Sequence, residues 1–291
     1  MFLSALAVAA AGAEDEAALL AFKAAASIGG SSNALVSWNG VRCRGRHRRV
    51  VALILPSHGL AGVLSPVVGN LSSLRVLDLN SNGFSGNIPS SLVRLHHLRV
   101  LNLSRNAFYG PLPANLSSCT SLSVMHLRFN QLSGHVPSEF GSKLTRLRFL
   151  ILGNNSLTGF IPPSLANLTS LINLELMVNQ LEGTIPTSLG ILKDLQYLGL
   201  AFNNLSGEPP ISLYSLSSLI WLQIQSNMLN GNIPTDIGKR FPSVQLLALN
   251  ANQFTGPIPP SVSNLTSLQI LEIASAEMCL AQWVDFELCN D

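Results

Sequence analysis

The sequence predicts a curved, right-handed α/β repeat solenoid, with a short parallel sheet on its concave face and irregular or 3-10 segments on its convex side. Three observations carry that prediction. A leucine-led string restarts every 24 or 25 residues, an asparagine follows all but the first and last starts at a fixed offset, and a glycine and then a proline follow the asparagine. Self-similarity at such a period marks stacked units, none of which can bury its apolar side alone.

The string LxLxxNxLxGxIP starts at Leu53, Leu77, Leu101, Met125, Leu150, Leu174, Leu198, Leu222, Leu247 and Leu271. The fourth and eighth repeats, near Lys143 and Phe241, are the two 25-residue ones. The LxL pair alternates inward on a short strand, so that neighbouring coils stack it into one core. The asparagine column (Asn82, Asn106, Asn130, Asn155, Asn179, Asn203, Asn227 and Asn252) sits where the chain leaves the strand. An amide there can satisfy backbone groups of adjacent coils that would otherwise lack partners. His58 and Ala276 replace it in the two terminal repeats. The glycines from Gly62 to Gly256 supply backbone angles that a side chain would block. Prolines three residues later, such as Pro89 and Pro113, fix an extended return.

The chain divides accordingly into residues 1–13, 14–49, 50–275 and 276–291. Phe2 to Ala11 is an apolar run closed by Ala11-Gly12-Ala13 and then by Glu14-Asp15-Glu16. That pattern predicts a secretory signal peptide with a mature start near Glu14, although no basic residue precedes the run. Residues 14–49 are expected to form a helical cap, with Asp15 capping a helix whose Leu19, Phe22 and Ala26 share a face. No later stretch is long and apolar enough for a membrane span. The expectation is therefore an exported chain without an anchor.

The string NxLxGxIP resembles the plant-specific class of leucine-rich repeat, and is similar to the ectodomains of plant receptor-like kinases and receptor-like proteins. The segment Asp15-Glu16-Ala17-Ala18-Leu19-Leu20-Ala21-Phe22-Lys23, then Ser37-Trp38 and Gly40-Val41-Arg42-Cys43, resembles that family's N-terminal cap. The likeness spans roughly residues 14 to 275. The family cap carries two cysteines around its tryptophan; here Val36 stands in place of the first, so Cys43 lacks its usual partner. Family receptors continue into further repeats, a membrane helix and often a kinase, so the resemblance implies a truncated member.

The resemblance implies extracellular recognition of a peptide, a microbial molecule or a co-receptor on the concave face, in plant defence or developmental signalling. The chain would act in the apoplast, or at the outer face of the plasma membrane through a partner. A soluble inhibitor of a cell-wall-degrading polygalacturonase is the alternative, though such inhibitors carry fuller cysteine caps at both ends. A truncated, non-functional receptor fragment is the third reading.

Other chemistry finds little support. Charged residues are 11% of the chain and net charge is +2, which argues against a nucleic-acid or anionic-membrane partner. The crowded Arg42, Arg44, Arg46, Arg48 and Arg49 read as a solvated cap loop. His96-His97 and the Cys43/His47 pair are poor metal sites. No phosphate loop, nucleophile elbow or HExxH string occurs. Asp78, Glu175 and Glu272 fall on separate strands, too far apart for paired acid–base work. No enzyme, cofactor or metal is expected.

Seven Asn-x-Ser/Thr sequons occur, at Asn70, Asn102, Asn115, Asn154, Asn167, Asn204 and Asn264, and are candidate glycan acceptors in an exported chain. Several of them are also what the repeat consensus spells. Cys119 stands in a leucine column and should be a buried thiol. Cys279 and Cys289 either bridge each other or lie on a capping helix marked by Leu280, Val284 and Leu288. The two exclude each other, because ten helical residues separate them by ~15 Å.

Inner-face positions lie one before, one after and three after each start. With their flanks they include Arg75, Asp78, Arg99, Asn102, Arg105, His126, Arg128 and Arg148 in the first half. Phe149, Glu175, Met177, Tyr197, Phe202, Trp221, Gln223 and Gln225 follow. Arginine and aromatic side chains dominate binding hot spots. The expected ligand is extended, with an acidic or sulfated part over the arginines and an apolar part near Tyr197, Phe202 and Trp221. The competing reading has residues before each start packing sideways between strands, as Val76, Val100 and Val124 suggest.

Overall fold

The computed structural model describes residues 12–28 and 40–273. The expected signal segment up to Ala11, Val36 and Trp38 of the cap, and the tail with Ala276, Cys279 and Cys289 lie outside the described residues.

Each coil contributes one strand to an eleven-stranded sheet. Its first strand, Val41–Arg44, runs antiparallel to Arg49–Ile54. From there ten strands are parallel and pair start against start. Leu53 faces Leu77, which faces Leu101; the register continues through Leu150 and Leu174 to Leu247 and Leu271. A side-chain period of two along each strand puts Leu77 and Leu79, Leu101 and Leu103, and their equivalents in one buried spine. Phe22 of the cap helix, Phe84 and Phe108 extend that spine by ring contacts of 6.0 and 6.3 Å.

The segment around each glycine is more regular than the predicted irregular return. Leu60–Val63, Gly83–Gly86 and their successors up to Gln253–Thr255 form a second parallel ladder of ten strands, counting the antiparallel cap strand Ala26–Ile28 at its end. Gly86 closes its strand at φ +82°, and a Cβ on Gly183 would stand 2.4 Å from the Phe160 ring. The glycine column thus serves two needs at once, a left-handed turn and room for the side chain of the preceding coil.

Proline then sets the return: Pro89, at φ −67° and ψ 130°, precedes the 3-10 helix Ser90–Arg94. In the 25-residue repeats an α-helical segment takes that place, Ser138–Lys143 in the fourth and Ile237–Arg240 in the eighth. The extra residue is absorbed by widening one turn.

The cap departs from expectation in two respects. Its helix spans Ala13–Ala25 with Gly12 at the N-cap, and Ala26 already belongs to the next strand. Asp15 caps nothing. Its carboxylate is fully buried, pairs with Arg49 Nη2 at 2.9 Å and accepts the Val50 N–H at 2.6 Å. An acidic residue so near a helix start can satisfy donors outside the helix, and here it ties the cap to the first parallel strand. Cys43 and Cys119 are free thiols. Cys119 is buried, donates toward Leu92 O at 3.3 Å, and burial pushes its thiol up to about 11.

Candidate binding face

The asparagine column shapes the trailing edge of the inner sheet. Asn203 Nδ2 donates to Leu200 O at 3.0 Å and Ala201 O at 3.2 Å in its own coil, and to Leu176 O at 3.1 Å in the coil before. Its Oδ1 accepts from Leu181 N–H at 3.0 Å. The same set recurs at Asn106 and Asn155, and at Asn130 without the bond to the carbonyl two residues before. To present its carbonyls to the amide, the chain turns left-handed just ahead of it. Ser57, Ser81, Arg105, Phe129, Asn154, Val178, Phe202, Ser226 and Ala251 all have φ between 51° and 57°. For residues other than glycine this is a costly region. From Ser81 onward the bonds of the asparagine that follows hold it in place.

This turn places the residues four after each start in a row beside those three after the start. Arg105, Phe129, Asn154, Val178 and Phe202 form one row. Arg128, Gly153, Met177, Ala201, Gln225 and Asn250 form the other. Arg105 and Arg128 each stand 4.6 Å from the Phe129 ring centroid, a cation on an aromatic face. Arg128 Nε reaches Glu175 Oε1 at 3.0 Å, two coils away, and its Nη2 lies 3.9 Å from Met177 Sδ. Glycine at 153 makes the pair possible, since a Cβ there would stand 2.5 Å from the carboxylate. Burial pushes the Glu175 carboxyl up while Arg128 pulls it back. His126 is driven down by burial and by Arg128, against the opposing pull of Asp78.

The structure brings some expected site residues together and separates others. Arg75, Arg99 and Arg148 are exposed at the leading edge, two residues before their starts, and Arg148 stands 5.9 Å from the Phe149 ring. Six residues of strand, ~20 Å, part that edge from the trailing edge of Arg105. The arginines therefore form two groups. Tyr197 and Trp221, one before their starts, pack edge to face at 5.1 Å and 88°. Sideways packing between strands describes this column, yet Trp221 remains 43% exposed. Phe202 is 51% exposed on the trailing edge, while Gln223 is half-buried on the strand between. Sequence reasoning missed Phe129 and Gly153; a short residue among long ones in an inner column was the available signal.

Five sequon asparagines, Asn70, Asn115, Asn167, Asn204 and Asn264, are exposed away from the inner sheet. Asn102 and Asn154 are half-buried on or beside it, and Asn102 Oδ1 accepts from the Ser104 hydroxyl at 2.7 Å. Among the described residues no cluster of three or more His, Cys, Asp or Glu could hold a metal, and no helix is long and apolar enough to cross a membrane.

A family model described as a leucine-rich repeat region matches residues 55–213. A receptor-like protein kinase of Arabidopsis thaliana is 48% identical over 73 residues, covering 22% of this chain and 7% of that protein. The ectodomain of the Arabidopsis thaliana receptor kinase GASSHO1/SCHENGEN3, solved with Casparian strip integrity factor 2, superposes with a TM-score of 0.81 at 35% identity, covering 87% of this chain and 32% of that one. The Arabidopsis receptor kinase HAESA, solved with the peptide hormone IDA and the co-receptor SERK1, gives 0.66 at 27% identity, covering 90% and 54%. The match thus spans a small part of the curated kinase and about a third to a half of the solved ectodomains. With its repeats in register, its asparagine ladder intact and a family model matching more than half its length, the chain belongs to the leucine-rich repeat family, and its fold is that of plant receptor ectodomains.

Proposed function

We propose that this chain is an extracellular recognition module that binds an extended peptide along the trailing edge of its inner sheet. The carrying observation is the double row from Arg105 to Asn250. It offers arginine, aromatic and amide side chains on a backbone that every coil's asparagine holds fixed. Preorganised side chains of these types make efficient binding sites. The structural relatives solved with a named factor and with a peptide hormone and co-receptor support the same use. A membrane co-receptor is the partner this reading adds, with plant defence or developmental signalling as its setting. Catalysis has no part in this reading: Glu175, a half-buried acid of the face, is held by Arg128. On this reading the chain is exported, and Asn70, Asn115, Asn167, Asn204 and Asn264 carry its glycans on surfaces away from the peptide.

The test is retention of a random nonapeptide pool by the immobilised full chain, analysed by mass spectrometry. Phe202→Ala should lower retention at least tenfold, and Phe160→Ala on the outer ladder should leave it unchanged. Equal retention by wild type and Phe202→Ala would move the site elsewhere.

A further inference from the structure

A cavity of about 620 Å³ opens beside the outer ladder, where the ladder meets the 3-10 helices of the first three coils. That volume lies within the ~300–1,000 Å³ of ordinary ligand sites. Val63 and Pro89 give it apolar walls. Tyr109, on the strand Ala107–Pro111, lines it and is 52% exposed. The Asn87 amide and the Tyr109 hydroxyl, both in the lining, have no hydrogen-bond partner among the described residues. Arg94 commits one donor to Asn70 Oδ1, at 2.7 Å, and keeps the others for the cavity it lines.

A ring, an amide and a guanidinium together suit a sugar. The C–H face of a pyranose is slightly positive and lies well on the negative face of an aromatic ring. An acetamido group answers both the donor and the acceptor of the Asn87 amide, and hydroxyl oxygens take the donors of Arg94. Such a sugar can come from the chain itself, because Asn115, also in the lining, heads the sequon Asn115-Leu116-Ser117. Its Nδ2 reaches Ser90 O at 3.4 Å. A glycan replaces one hydrogen of that amide and leaves the other for the bond. No other coil sets an aromatic ring in the column of Tyr109 or an asparagine in that of Asn115, and both fall in the third coil. Asn70, the neighbouring sequon, lies outside the lining, and Arg94 holds its oxygen.

Resting on the reading of the chain as exported and glycan-bearing, we infer that the first N-acetylglucosamine of a glycan on Asn115 packs in this cavity, its ring on Tyr109 and its acetamido group on Asn87. The sugar then bridges two coils, Tyr109 and Asn115 of the third and Asn87 and Arg94 of the second. It stabilises their stacking from outside the leucine spine.

The test uses the full chain secreted from plant cells, with mass spectrometry reading which sequons are occupied. Asn115→Gln should lower the thermal midpoint by about 2–4 °C. In a Tyr109→Ser background, which sets there the residue that Ser85 and Ser133 set in the same column, the same change should shift it less than half as far. Nitration of Tyr109 by tetranitromethane should be at least threefold slower in wild type than in Asn115→Gln, a comparison that needs no change at Tyr109. An equal midpoint shift in both backgrounds would overturn the contact, and so would equal nitration rates. A bare Asn115 in a chain whose other sequons are occupied would overturn it too. A Tyr109-dependent shift from Asn70→Gln instead would assign the cavity to the other glycan and overturn this one. A chain that is not secreted, or carries no glycan at all, would overturn the exported reading, and this inference with it.

Discussion

Arg128 and Glu175 meet at 3.0 Å across an intervening coil, above the bare backbone of Gly153. The contact joins the fourth repeat to the sixth and needs nothing from the fifth except room. Arg128 keeps 32% of its side-chain surface exposed and Glu175 only 14%, so the pair is partly screened. A stability effect between that of a surface pair and that of a buried pair follows.

Gly153→Ala should therefore destabilise the chain by about 1–3 kcal/mol, the usual range for overpacking. The new Cβ would stand 2.5 Å from Glu175 Oε1 and 3.0 Å from Met177 O. Combining it with Glu175→Ala should recover part of the loss, because one of the two obstructions is gone. Denaturant midpoints of the single and double variants measure this. Full tolerance of Gly153→Ala would mean that the carboxylate does not lie over residue 153.

Asn203→Ala should be among the costliest single changes, at about 2–4 kcal/mol. It leaves the Leu181 N–H without its acceptor and removes one of the two donors to each of the Leu176, Leu200 and Ala201 carbonyls. Because each repeat contacts mainly its neighbours, the loss should broaden the unfolding transition as well as shift it. Calorimetry separates the two effects, and a sharp transition at the wild-type temperature would refute the ladder's role.

Val178 is a β-branched residue held at φ 55°. Asparagine tolerates that region far better. Val178→Asn should raise stability by roughly 0.5–1 kcal/mol, read from the urea midpoint. A loss would show that Val178 contributes packing that outweighs its backbone strain.

Acid should weaken the fold through His126. Its imidazole is held below the ordinary value by burial first and by Arg128 next. The unfolded chain therefore takes up this proton at higher pH than the folded one. The contribution of His126 is complete above its unfolded value of ~6.5 and is lost as pH falls through the lower folded value. Glu175, raised by burial, has the opposite sign near the carboxylate range, so the slope is best read between about pH 7 and 5.5. His126→Gln should flatten that slope, and an unchanged one would remove His126 from the account.

The leucine spine and the asparagine ladder were legible in the sequence because every coil repeats the same solution to the same packing problem. Leu101, Asn106 and Gly110 carry the information that Leu77, Asn82 and Gly86 already carried. The second ladder was hidden because its strands are three to five residues long, as in Asn204–Gly207, with no β-branched run to mark them. Asp15 was misread because its partners, Arg49 and Val50, are 34 and 35 residues away. The arginines read as one patch until the left-handed turn placed Arg105 on the edge opposite Arg75, Arg99 and Arg148. Side-chain reach over Gly153, which joins Arg128 to Glu175, is set by three coils together and by no local pattern.

Photo-crosslinking tests the central claim most directly, because it asks which sheet touches the ligand. Benzoylphenylalanine replaces the phenylalanine at position 202 on the inner face in one protein and at position 160 on the outer ladder in another; both sites carry exposed rings. Irradiation with the retained nonapeptides should yield adducts from position 202 and none from position 160. Adducts from position 160 alone would place recognition on the outer ladder and contradict the account.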